Sequence, residues 1–585
     1  MLESWLRTRR PIVLAAIVAL AVIVRVVAFV QVNGGPCLSL HRWDATDMHF
    51  FDEWARTIAA GDWLTDEPLH PFHPWAHEVV DKYLAVHPEV AETLPGKEHE
   101  GRAITLWNRW NGGKTFHQEP LYAYLLAGIY RLLGPDVRWV FAVQLAAGVG
   151  MTVLLYLTVC RQLGDTVAVV AALLVTLAGP LVYHELLLLR ESLVTAAGIA
   201  LVFLTDRARD GRRWTAWLAL GVALGVAMLL KTIFLVYGVG VLAVLAITRR
   251  TRALAPAAAL LAGLTLALSP AVARNLAVGV PPLALSSVGG LVFLESNAVD
   301  FRPGVGFVVS EQTPTIMGAT GGRFWPTVSL TLETHPDRWS VLRMLGGKMR
   351  TLWHWYEMPN NSNFYFFRLH APVLHLLPVT FFVLSPLGLV GLGLGLRWLS
   401  RAWPLYLMVA CHVTHLLVFY TLSRLRIPLL PALAPFAALT LVELGRSLAT
   451  GRIVWAAAVA GAALALGTWT GRPLPPGVTL VGAVDYWAAY QTYYKPLIDE
   501  AQRDGDEGRA ADVFRASLAF EPAEVRGVDA AHPAAAGSTA DLVTLFASVH
   551  EAFAEELARG GQAEEAQREA ERARELKAAL REHTT

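Results

Sequence analysis

The run PIVLAAIVALAVIVRVVAFV at 11–30 stays apolar over a length that crosses a bilayer, and runs of the same kind recur along the chain. A spanning helix needs about 20 such residues. Lipid offers no hydrogen-bond partners, so each segment must satisfy its own backbone, and helices are the element that does so. The pattern predicts eleven spans, near 11–31, 138–159, 166–184, 186–205, 214–230, 232–247, 254–272, 373–395, 404–421, 428–445 and 453–469. The predicted fold class is all-α: a polytopic helical membrane protein with large polar loops and a small helical C-terminal region. Composition agrees, since 17% of residues are charged where a soluble domain carries about a quarter.

Short basic loops fall on alternate turns: RTRR at the start, Arg161, 206–213, 248–252, 397–403 and 445–452. Lysine and arginine in short loops mark the cytoplasmic side. The N-terminus is therefore expected inside, and the tail from 470 and the long loops 32–137 and 273–371 outside. The first run reads as a retained signal anchor, because Arg25 interrupts it and no small-residue cleavage site follows; a cleaved signal is the alternative. The segment EPLYAYLLAGIYRLLG at 119–134 carries Glu119 and Arg131 and reads as an amphipathic interfacial helix. Cys37, Cys160 and Cys411 are too widely spaced to suggest a ligand cluster.

On the outer face, DATDMHFFDEWARTIAAGDW at 44–63 places five acidic residues beside a row of aromatics. Phe51, Trp54, Ala55 and Ile58 form one apolar helical stripe, with Asp47 just before it in the position of an N-cap. Read by itself, the segment makes Asp47 a cap and Asp52 and Glu53 a wet face. The spacing also resembles the first outer loop of the GT-C superfamily, which includes protein mannosyltransferases and lipid A aminoarabinose transferases. In that pattern an acidic residue is followed by an aromatic, a small residue and a glycine, matched here by Asp47, Phe51, Ala55 and Gly61. Many members have Asp-Glu where this chain has Asp47-Met48, which leaves Asp44 to stand in for the second carboxylate. FHQEPLYAYLLAGIYRLLG (116–134), LSPAVARNLAVG (268–279) and LSRLRIPLLPALAPF (422–436) resemble further segments of the same family in the same order.

The resemblance covers roughly 10–450 and implies a GT-C-type membrane glycosyltransferase domain over 1–470. It implies a polyprenyl-phosphate-linked sugar as donor and a hydroxyl acceptor on a glycan, lipid or protein. The chemistry asks for one base on the acceptor hydroxyl and for cations on the departing phosphate. Asp47 is the expected base, with inversion at the anomeric carbon. Arg424, Arg426 and Arg274 are the expected phosphate ligands, since guanidinium forks match phosphate oxygens; for Arg424 and Arg426 the alternative is interfacial snorkelling. Glu185, at the end of a span, is a second candidate carboxylate or half of a structural ion pair. Lys231 is a helix-end anchor or a phosphate ligand.

No cofactor is required by this chemistry. The loop HPFHPWAHE (70–78), with His70, His73 and His77, and His41, His49, His87, His99 and His117 nearby in sequence, leaves a divalent metal as an alternative. Pro71 and Pro74 break any helix that would align those imidazoles. NRWNGGKTFHQEP (108–120) lacks P-loop spacing, and no nucleic-acid partner is expected. WHWYEMPNNSNFYFFR (353–368) reads as an interfacial aromatic belt or a sugar-stacking platform, and Asn297 and Tyr365 are noted without a role. The tail, 480–585, is periplasmic on this topology. GRAADVFRASLAFEP (508–522) resembles half of a tetratricopeptide repeat and GGQAEEAQREAERARELKAAL (560–580) a degenerate second half, interrupted by 527–540. A plain helical hairpin describes the tail equally well, and such a unit is expected to dock on the outer loops or on a protein partner.

The expected location is a bacterial inner membrane, and the expected activity is hexosyl or pentosyl transfer. The alternatives are a polysaccharide polymerase or ligase acting on a diphosphate-linked glycan, and a non-enzymatic transporter or scaffold. A transporter would show internal repeats and midplane ionisable groups, which the chain does not.

Overall fold

The computed structural model describes residues 2–95, 98–210, 213–304, 307–474, 478–528 and 538–581. Gly211 and Arg212 of the basic loop, and most of the 527–540 segment, lie outside the described residues. Among the described residues the fold is helical, with a single isolated bridge between Ala178 and Val379. The chain folds into two compact units, one from 1–29, 50–360 and 373–475, the other from 30–49, 361–372 and 476–585.

Each predicted span in the first unit has a helical counterpart. Arg10–Val32, Val137–Gln162, Leu254–Val278, Phe381–Val418, Leu429–Ala449 and Ile453–Thr470 are each long and apolar enough to cross a membrane. Asp165–Thr176, Trp214–Leu230 and Phe234–Arg249 are shorter apolar helices. The run 166–184 is broken, because Pro180 cannot continue a helix; a second short helix, Gly179–His184, starts there. Leu121–Leu133 buries Tyr122, Leu126 and Tyr130 and exposes Leu132 and Leu133, the two-faced character its sequence predicts.

Glycines set the closest helix contacts. A methyl group at Gly221 would collide with the Leu260 carbonyl, and one at Gly263 with the Leu218 carbonyl, so Trp214–Leu230 and Leu254–Val278 meet backbone to backbone. In lipid, where apolar surface gains little by leaving its surroundings, such close van der Waals packing is the main attraction between helices. The long polar loops also share a core, in which Val79, Trp107 and Trp110 of the first pack with Leu291 and Met317 of the second.

Arg25, the interruption in the first span, has a partner. Its Nε and one terminal nitrogen donate to the two carboxylate oxygens of Glu185, each at 2.7 Å, with both side chains buried. A methyl group at Gly148 would strike that carboxylate, so glycine is what lets the pair close. Gln144 donates to the Glu185 and Leu187 carbonyls, and the Tyr122 hydroxyl donates to Gln144. Removing one member of a buried pair strands the other and costs about 3–5 kcal/mol. Glu185→Ala should therefore lower the melting temperature in detergent more than the double variant Arg25→Met/Glu185→Met does. Equal losses in the two would show that the pair contributes nothing as a pair.

In the second unit, Ser538–Arg559 and Ala563–Arg581 form an antiparallel hairpin against which Glu507–Leu518 packs. Arg515 reaches Glu565, and the buried His550 lies between Glu521 and Glu569. Burial opposes the imidazolium, yet the two carboxylates outweigh it and hold the His550 pKa above its ordinary value. A pKa raised on folding gives stability that is complete below the unfolded pKa and is lost as pH rises through the folded one. Corrected for intrinsic rates, hydrogen-exchange protection of Ser538–Arg559 should fall across that range. His550→Gln should remove the fall; an unchanged profile in the variant would assign it elsewhere.

Candidate active site

Asp47 opens the helix Asp47–Ala60, but it is not the cap. The Thr46 hydroxyl accepts from the His49 amide at 3.2 Å and does that work. The Asp47 carboxylate instead accepts from Asn361 Nδ2 at 2.7 Å, and the Asp47 amide donates back to Asn361 Oδ1 at 3.3 Å. Asn361 holds this position with φ of +65°, a backbone conformation that asparagine tolerates better than most residues. Asp44 is exposed on the preceding turn. Phe51, Trp54, Ala55 and Ile58 are buried as the stripe predicts. Asp52 departs from the expected wet face: it is buried, accepts from the Tyr130 hydroxyl at 2.6 Å and pairs with Arg56.

In the first unit, ionisable groups converge at one set of helix ends. Lys231 follows Trp214–Leu230, Arg190 precedes Glu191–Asp210, and Arg424 lies in the short helix Ser423–Arg426. Lys231 is within electrostatic range of Glu191, Arg190, Arg424 and Glu119. Its ammonium is 3.7 Å from Glu191, and Arg190 pairs with Glu119 at 2.5 Å. The second Glu119 oxygen accepts from both the amide and the hydroxyl of Thr232, at 2.7 and 2.8 Å. His412 and His415, from Leu399–Val418, are also within electrostatic range of Lys231. Among the described residues, Arg190 Nε and His412 Nε2 are buried with no hydrogen-bond partner. A buried guanidinium N–H is almost always satisfied, so an acceptor brought to Arg190 would gain a hydrogen bond.

The remaining expected ligands are committed to the protein itself. Arg426 directs its terminal nitrogens to the Leu352, His354 and Tyr356 carbonyls and to Glu357, and lies over the Phe381 ring at 4.0 Å. Its terminal nitrogens therefore organise the aromatic stretch 353–357. Arg274 donates to the Leu64, Lys114 and Thr65 carbonyls and stacks on Phe116 at 4.0 Å, tying down the first loop. Glu185 is the buried partner of Arg25, the ion-pair reading of that residue.

Among the described residues no group of three histidine, cysteine, aspartate or glutamate side chains is placed to hold a metal. His70 and His117 instead meet through their Nδ1 atoms at 3.2 Å. His70 Nε2 lies 2.7 Å from the Gly113 carbonyl, and burial pushes its pKa down to about 4 despite that bond. A neutral His70 that donates to Gly113 can accept from His117, which explains the pair without a cation.

Sequence reasoning did not assign roles to Glu119, Arg190, Glu357 or Asn361. Glu119, Glu357 and Asn361 lie in quoted motifs, but the partners are remote: Glu119 and Arg190 are 71 residues apart, Asp47 and Asn361 314. Arg426→Lys keeps the charge and loses the fork, so limited proteolysis within 353–360 should accelerate. Unchanged cleavage would contradict the organising role.

Residues 117–274 match the model of the dolichyl-phosphate-mannose-protein mannosyltransferase family. Glu119, Arg190, Glu191, Lys231 and Arg274 all fall within that stretch. No curated protein matches the chain. Among solved structures the chain is similar to the Archaeoglobus fulgidus oligosaccharyltransferase in its apo form, at 12% identity and a TM-score of 0.31. The match spans 74% of this chain and 60% of that one, less than two thirds of its length. The part of the chain from 117 to 274 is thus similar to the dolichyl-phosphate-mannose-protein mannosyltransferase family, and it lies within a helical framework that has, among the described residues, six helices long and apolar enough to cross a membrane.

Proposed function

We propose that the protein moves a sugar from a polyprenyl-phosphate carrier to a hydroxyl acceptor at the outer face of a bacterial inner membrane. The observation that supports this reading is the cationic cluster of the buried Arg190 and Lys231 with the half-buried Arg424, the first two of which lie in the matched region. Asp47 takes the acceptor proton as the hydroxyl oxygen attacks the anomeric carbon. The bond from that carbon to the phosphate oxygen breaks, and the configuration inverts. The carrier leaves as a phosphate monoester with one more negative charge than the donor carried. Cations fixed before the reaction stabilise that charge without reorganising, which is where electrostatic catalysis acts. Arg274 and Arg426 shape the surrounding loops, and Asn361 orients the Asp47 carboxylate.

The acceptor is a glycan, a lipid or a protein hydroxyl. The tail from 480 is assigned to the same outer side, as a helical module available to a protein partner. Transfer from radiolabelled polyprenyl-phosphate hexose and pentose in membranes tests the reading. Wild type should transfer label, and Asp47→Asn should lose about 10²- to 10⁴-fold, the usual contribution of a general base. Arg190→Ala should also lose activity at equal abundance. Full activity in Asp47→Asn would move the base elsewhere, and silence of wild type with every donor would reject the class of donor.

A further inference from the structure

Two helices of the second long loop, Phe324–Glu333 and Arg338–Leu352, expose apolar side chains that the fold does not use. Trp325 is 76% exposed and Trp339 72%. Neither stands alone. Trp325, Val328 and Leu332 recur at helical spacing on the first helix, and Trp339, Leu342, Gly346 and Met349 on the second. Arg323, Arg338, Arg343 and Arg350 are exposed along the same two helices, against exposed Glu333 and Asp337.

The opposite face of the second helix fixes its level. Met344, Lys348 and Leu352 point inward. The Lys348 ammonium donates to Asn297 Oδ1 at 2.8 Å and to the Leu417 and Phe419 carbonyls at 3.1 and 2.9 Å. Those carbonyls end Leu399–Val418, which belongs to one of the apolar stretches long enough to cross a membrane. The helix is thus pinned at the height where a span leaves the bilayer. At 100° per residue, Trp339, Leu342, Gly346 and Met349 lie 100° to 180° around from Lys348.

We propose that these two helices lie in the plane of the membrane interface, seated on anionic phospholipid, with Trp325 and Trp339 among the headgroups. Tryptophan prefers that depth because its ring is apolar and its N–H polar. The arginine excess supplies attraction to phosphate headgroups, and the aliphatic residues between the tryptophans supply buried area. This role is independent of the transfer chemistry, and its test uses no activity.

The full chain is reconstituted in vesicles of phosphatidylcholine with or without phosphatidylglycerol, with Cys160→Ser to remove a partly accessible thiol. A nitroxide is placed at Leu342→Cys and, as an exposed reference elsewhere in the loop, at Glu311→Cys. The proposal expects the label at 342 to collide with oxygen and to be shielded from a water-soluble nickel chelate, giving a ratio several-fold above that at 311. Arg338→Gln/Arg343→Gln should reduce that ratio in vesicles containing phosphatidylglycerol and leave it unchanged in phosphatidylcholine alone. Equal ratios at the two positions would overturn the proposal in favour of a solvated face. Loss of both collisions at 342 would overturn it in favour of a protein partner or a second copy of the chain.

Discussion

The buried pair of Arg25 and Glu185 joins parts of the chain 160 residues apart. Two charges inside a helical membrane framework persist only when they face one another. Their bidentate union ties the first span to the turn after Gly179–His184. That turn, Leu186–Leu189, is irregular and fully buried, so its backbone needs partners that a helix would have supplied. Gln144 provides two of them and is held by Tyr122. Arg190 is the next residue, which means that the ion pair, the amide and the phenol together decide where Arg190 stands.

The charge around Arg190 follows a simple rule. Arg190, Lys231 and Arg424 share their surroundings with Glu119 and Glu191, and Arg190 and Lys231 each lie against one of these carboxylates. An anion entering such a place replaces lost hydration with donors already in position. Arg426 and Arg274 show the contrasting use of the same side chain. Each spends its fork on backbone carbonyls of irregular segments, which otherwise would lack donors.

Much of the helical framework was legible because apolar runs of bilayer length have few alternatives in lipid. The break at Gly179-Pro180 also follows from local chemistry. Long-range pairing was not legible: Arg25 and Glu185 are 160 residues apart, and neither sequence neighbourhood names the other. The same limit hid Glu357 as the partner of Arg426 and Asn361 as the partner of Asp47. Asp47 looked like a cap because aspartate often is one; Thr46, one residue earlier, takes that role and releases the carboxylate. Asp52 looked solvated from helical phase alone, and only the fold brings Tyr130 against it. The motif order pointed to the family whose model matches 117–274, whereas the partners of the arginines needed three dimensions.

The central claim is that the Arg190 cluster holds the phosphate of a polyprenyl carrier. Binding of polyprenyl phosphate to the full-length protein in lipid nanodiscs, followed by phosphorus NMR, tests it without requiring turnover or an acceptor. The account predicts a bound resonance in wild type and in Asp47→Asn, and its loss in Arg190→Ala and Lys231→Ala. A bound resonance that persists in both cation variants would contradict the assignment.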